Sequence, residues 1–442
     1  MRRSPILPWL ARLGAVAISA AMVLMFAAPA KAGGAPMLVR DINPGGSSNP
    51  TGLTNVGGTL FFAATDGSHG RELWKSDGTT AGTRMVRNIR AGRAGSKPSD
   101  LTDVAGTLYF IADDGVHGQQ IWKSDGTRAG TVSITHLTHD QWGPGLESIT
   151  PVGDKVFFFA AWCCTGGHQL YVTDGTTAGT KVLDTLGPVS GVTAMGGKLY
   201  YGRGDDAGFG AGLWVSNGTV AGTRRIPGSP VNATQPTAVG DTVFFFAGAW
   251  DRPIRLWKTD GTRAGTTALT TRGELGPRPG DAELAVMGGK LYFVNGEDTN
   301  QVWKSNGTTH GTRAVTAFTS SYVTNLTAVG AGLFFSFGLD LWWSDGTRVG
   351  TTDLAPVNDG DMYVSAFMAV GSGLCFAVSD LEGSSDAWTL WQSDGTTAGT
   401  VPVASFVHPP AEGDVARASI GATLYFAADD GIHGNELWSY IP

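Results

Sequence analysis

Three short segments set an acid three residues ahead of an imidazole: Asp66-Gly67-Ser68-His69-Gly70, Asp114-Gly115-Val116-His117-Gly118 and Asp430-Gly431-Ile432-His433-Gly434. Such a pair can close a hairpin, with the carboxylate bonded to backbone amides just ahead of it. It can also line a rim and contact a ligand or a cation. Trp142, Trp162, Trp250 and Trp343 stand outside any recurring slot and are candidates for stacking on a sugar ring. His136, His139 and Asp140 share one stretch, but zinc would want a further ligand. Cys163 and Cys164 beside His168 chelate one ion poorly because they are adjacent, and Cys375, among apolar residues, reads as a buried thiol. Three cysteines make no disulfide framework of the small secreted kind. The expected ligand-binding set is therefore Asp66, His69, Asp114, His117, Asp430, His433, Trp142, Trp162 and Trp250. No catalytic or metal residue is assigned and no cofactor is expected. A cation such as calcium has carboxylates to meet, but Ser-Asp-Gly-Thr lacks the alternating acidic ligands of an EF-hand loop.

The elements that carry these residues follow from a repeat. Leu73-Trp74-Lys75-Ser76-Asp77-Gly78-Thr79, followed by Gly82-Thr83, returns as Ile121-Trp122-Lys123-Ser124-Asp125-Gly126-Thr127 with Gly130-Thr131. It recurs around Tyr171, Trp214, Trp257, Trp303, Trp342 and Trp391, and a truncated ninth copy is Leu437-Trp438-Ser439. From Trp74 to Trp438 is 364 residues in eight steps, a mean near 45.5. Each period holds four strand-like runs, rich in aromatic and β-branched residues and bounded by Gly and Asp turns. Four strands in about 45 residues is one β-propeller blade. Runs such as Val156-Phe157-Phe158-Phe159 are apolar at consecutive positions, so both faces of each sheet must be covered.

The two ends of the chain argue for a ring. Met37-Leu38-Val39-Arg40-Asp41-Ile42 matches a fourth strand, Met85 to Ile89, while the chain stops just after a third strand at Trp438. Left apart, both would be open edges prone to aggregation; paired, each completes the other. The expected fold is all-β: one closed β-propeller of about nine four-stranded blades, with eight as the alternative count, over 33–442. The N-terminal strand completes the last blade. The repeated core, with Glu72 before the first copy and Glu436 before the last, resembles the ELWxxDGT repeat of bacterial exported proteins. The resemblance covers 33–442 and implies no activity. Gln120, Gly212, Arg255 and Gln301 replace the Glu, which removes that position as a catalytic group shared around the ring. Within the motif, Asp77 and its counterparts read as turn residues, since Asn217 and Asn306 substitute for them.

Composition sets the partners. Glycine supplies 65 of 442 residues and tryptophan 14, while charged residues are only 16%, too apolar and aromatic a chain for disorder. Residues 1–32 read as a secretory signal peptide: Arg2, Arg3 and Arg12, an apolar run from Leu13 to Ala28, then Ala30-Lys31-Ala32. The net charge of −7 becomes −11 without that segment, which repels a phosphate backbone and sets nucleic acid aside. The expected product is a secreted or cell-surface monomer with no transmembrane span after cleavage. It acts as a binding or interaction module for an extracellular glycan or protein. The alternatives are a propeller-based glycan hydrolase or lyase, or a structural surface protein without a discrete ligand.

Overall fold

The computed structural model describes residues 33–137, 145–161, 168–204, 211–248, 254–270, 283–295, 301–318, 322–354, 362–380, 387–407 and 416–442. Trp142, Trp162, Trp250, His139, Asp140, Cys163 and Cys164 lie outside them, as do residues 1–32. Thirty-six strands and no helix make up the described chain. They fall into nine sets of four antiparallel strands, eight of them consecutive in the chain. Blade 1 is Thr51–Val56, Thr59–Thr65, Arg71–Ser76 and Arg84–Arg87. Blades 8 and 9 are further joined by one pair, Val407 with Asp429, which merges them into a single eight-stranded sheet beside seven four-stranded ones.

Blade 9 is built from both ends of the described chain. Arg417–Ile420, Thr423–Asp429 and Asn435–Tyr440 supply three strands, and Met37–Arg40 supplies the fourth. Met37 pairs with Ser439 and Leu38 with Trp438, as the matching of sequence ends predicts.

Second strands are apolar at consecutive central positions because their two faces serve two different neighbours. Phe62 enters the core shared with blade 9, and Phe61 enters the core shared with blade 2. Phe158 likewise faces blade 2, while Phe157 and Phe159 face blade 4. Nine such clusters exist, one between each pair of consecutive blades, and the ninth joins Tyr425 and Leu437 to Leu60 and Trp74. The chain of contacts therefore closes on itself. Burying each such aromatic contributes roughly 1.5–3 kcal/mol, so the blades hold one another rather than standing alone.

The repeat tryptophans pack across their own sheets, ring centroids 6.4 Å from Phe110 for Trp122 and 6.4 Å from Phe245 for Trp257. The seventh unit, only 39 residues from Trp303 to Trp342, is nonetheless a regular blade. Its second and third strands, Gly332–Phe337 and Asp340–Ser344, are joined by a two-residue turn.

First strands lie innermost, since those of blades 1 to 5, of 6 to 9, and of 9 and 1 touch in series. In seven blades this strand carries a bulge, with a left-handed residue at Gly52, Asp100, Ser148, Gly191, Gln235, Asn325 and Ala366. The extra residue bends and twists the strand where nine of them crowd around one axis.

Candidate functional site

The Asp-Gly-x-His-Gly segments connect second to third strands in blades 9, 1 and 2, which are consecutive around the ring. All three adopt one geometry. Asp66 Oδ1 accepts from the amides of Ser68 and His69, each at 2.9 Å, and its Oδ2 accepts from His69 Nδ1 at 2.7 Å. Asp114 does the same with Val116 and His117, and Asp430 with Ile432 and His433. The carboxylate is thus consumed in closing the turn and fixing the ring. The imidazoles keep 46%, 48% and 36% of their side-chain surface open at His69, His117 and His433, leaving Nε2 as the nitrogen a ligand can reach.

The last glycine of the segment is needed for a close approach. Gly70 has φ of +69°, and a Cβ there would sit 2.5 Å from the carbonyl oxygen of Arg93. Arg93 belongs to the connection from blade 1 to blade 2, so the loop and the connection share one face.

Electrostatics follow from these contacts. Burial works to raise Asp66, Asp114 and Asp430, but the hydrogen bonds from the loop amides and the histidine outweigh it, and all three carboxyls lie below their ordinary range. His433 is shifted up, chiefly by its hydrogen bond to Asp430. Arg90, on the blade 1 to 2 connection, lies along the second loop and pairs with Asp113 at 2.7 Å. The His136 ring is 6.1 Å from that of His117. His168 meets Glu147 at 3.2 Å, in blade 3. Among the described residues no group of three His, Cys, Asp or Glu could hold a metal ion.

Trp343 is a correction to the sugar-stacking set. It is half-buried, and its indole lies against Gly332 and Gly395 at the boundary with blade 8. Cys375 is buried as expected, its thiol pushed up to about 12 by burial.

The residues that hold this face in place were not singled out from sequence. Glu72 is fully buried and accepts from the amides of Ile89, Arg90 and Ser96 at 3.0–3.1 Å, and from Ser96 Oγ at 2.5 Å. Glu436 accepts from Ile42 and Ser48 amides and from Ser48 Oγ. Burial raises both carboxyls, against the pull of these hydrogen bonds. In blade 2 Gln120 takes the place. Its Oε1 accepts from Thr135 Oγ1 and the Leu137 amide, while Nε2 donates to the carbonyls of His117 and Leu137. The available signal was spacing: in each of the three Asp-Gly-x-His-Gly segments an acid or amide stands two residues after the last glycine.

No family model matches the chain, and no curated protein matches it. Solved structures that resemble it share little sequence. The computationally designed Ika8 protein is 14% identical, covering 92% of this chain and 100% of its own, with a TM-score of 0.47. The β-propeller domain of the Trilobed protease from Pyrococcus furiosus is 12% identical, covering 71% and 99%, with a TM-score of 0.41. A prolyl endopeptidase is 12% identical at a TM-score of 0.44, and this chain spans 50% of its length. The propeller assignment rests on the blades themselves.

Proposed function

We propose that this chain is an exported β-propeller of the ELWxxDGT-repeat kind. In this reading it works as a monomeric, non-catalytic binding module for an extracellular glycan or protein. The observation that carries the reading is the repetition of one rigid Asp–His pair on three consecutive blades. Each aspartate orients an imidazole without touching the ligand, and each histidine presents one nitrogen beside the interblade connections. Loops on a rigid scaffold are where propellers and other folds place recognition. The leader at 1–32 and the acidic net charge fit an exported protein with no nucleic-acid role.

Printed arrays of glycans and of extracellular proteins test this, read with the protein and with His117→Ala and Asp114→Ala. The expected result is one bound ligand class whose affinity falls by about tenfold in each variant, since a good hydrogen bond is worth roughly 1.4 kcal/mol. No bound class, or full affinity in both variants, overturns the site.

A further inference from the structure

One of the three loop histidines has a second imidazole beside it. The rings of His117 and His136 stand 6.1 Å apart, centroid to centroid, with 62° between their planes, and both residues are exposed. His117 belongs to the loop between the second and third strands of blade 2, and His136 to the connection that follows its fourth strand, Val132–Ser133. Gln120 ties the two segments together, its Nε2 donating to the His117 carbonyl at 2.9 Å and to the Leu137 carbonyl at 3.0 Å. The same slot can be followed in the other two blades. The amides of Ile89, Leu137 and Ile42 are held by Glu72, Gln120 and Glu436, so the residues just before them correspond: Asn88, His136 and Asp41. This slot neighbours the loop histidine, since His433 is shifted up first by its hydrogen bond to Asp430 and further by the Asp41 charge. Blade 2 therefore places an imidazole where blades 1 and 9 place an amide and a carboxylate.

We propose that His117 and His136 together bind a divalent transition cation of the zinc, copper or nickel class. Imidazole nitrogen suits these ions, whereas calcium takes about six to eight oxygens. A metal-bound histidine commonly donates its other ring N–H to a carboxylate, which fixes the ring and raises its basicity. His117 meets that condition: Asp114 Oδ2 holds Nδ1 at 2.7 Å and leaves Nε2 for the metal. Two imidazoles on one tetrahedral zinc, with bonds of about 2 Å, have ring centroids about 5 Å apart. The observed separation is about 1 Å wider, which rotation of the exposed His136 side chain closes. Arg90 lies along the same loop, but its charge is answered by Asp113 at 2.7 Å. The further ligand that His136 wants thus comes from the neighbouring loop and not from its own stretch. Two protein ligands leave the rest of the coordination shell to water or to a bound partner. The site goes beyond the recognition reading and does not rest on it, because the ion is titrated with no other ligand present.

The test is calorimetric titration of the full protein with zinc chloride, repeated with His136→Ala, with His117→Ala, and with His69→Ala as the matching loop that lacks a second imidazole. Saturable zinc binding is expected, with one equivalent whose affinity falls at least about tenfold in His136→Ala and in His117→Ala and is unchanged in His69→Ala. Each variant should keep the melting midpoint of the parent without metal, and either of the first two suffices if the other does not fold. Calcium at equal concentration should leave the zinc isotherm as it is. Absence of saturable binding, full affinity in a folded His136→Ala or His117→Ala, an equal loss in His69→Ala, or displacement of zinc by calcium overturns the proposal.

Discussion

Asp77 shows how much of the repeat is turn chemistry. Its Oδ1 accepts from the amide and hydroxyl of Thr79, and Thr79 Oγ1 in turn accepts from the Gly82 amide. Thr83 Oγ1 donates to the Thr79 carbonyl and meets Ser76 Oγ at 2.7 Å. Gly82 must be glycine because a Cβ would overlap the Asp77 carboxylate. Asn217 and Asn306 accept the same two bonds through Oδ1, so the position asks for an oxygen and not for a charge. The Asp430–His433 pair on the other face does involve charge, and that makes it pH-dependent. His433 has a raised pKa, so its stabilisation is complete below the ordinary imidazole value of 6.5 and is lost as pH rises through the folded value. Asp430 has a lowered pKa, so its contribution is present above the ordinary 3.8 and is lost as pH falls through the folded value. The loop is therefore held most firmly between those limits. An NMR titration should show His433 with a higher midpoint than it has in Asp430→Ala; equal midpoints would contradict the pairing.

At the scale of elements, the connection between blades is anchored by one buried side chain reaching back from the third strand. Glu72 grips the run from Ile89 to Ser96, Glu436 the run from Ile42 to Ser48, and Gln120 the run from Thr135 to Leu137. The amide is the better choice in blade 2 because Gln120 must donate to two carbonyls as well as accept. Glu436 matters most, since it fastens the segment that follows the strand closing the ring. Glu436→Ala leaves three donors without their acceptor, at about 1–3 kcal/mol each, so a loss of at least about 3 kcal/mol is expected in chemical denaturation. A loss under about 1 kcal/mol would show that water replaces the carboxylate at little cost.

For the whole molecule, stability resides in nine interfaces, none of which a single blade can form by itself. The pairing of Met37–Arg40 with Asn435–Tyr440 turns two exposed edges into one blade. Deleting 33–40 should therefore lower the melting midpoint and yield aggregates on size exclusion. A circular permutant that joins 442 to 33 through a short linker and opens at the Gly57-Gly58 turn keeps every strand pair, and should stay folded and monodisperse. A deletion variant as stable as the full chain would mean that the ring does not depend on this closure.

The sequence alone determined the repeat, the four strands of each unit, the pairing of the two chain ends and the turn role of Asp77. These are local or periodic properties: glycine and aspartate mark turns, and consecutive apolar residues mark a sheet covered on both sides. It also located the Asp–His loops, without saying that Asp66 spends its carboxylate on the turn and leaves His69 to face outward. Only the tertiary structure decided why Glu72 and Gln120 occupy one position, why Trp343 is packed between blades, and why Cys375 and Gln392 sit together against Tyr440. The reason is physical. Those residues answer chiefly to groups far along the chain or in the next blade, and neither spacing nor composition records who those neighbours are.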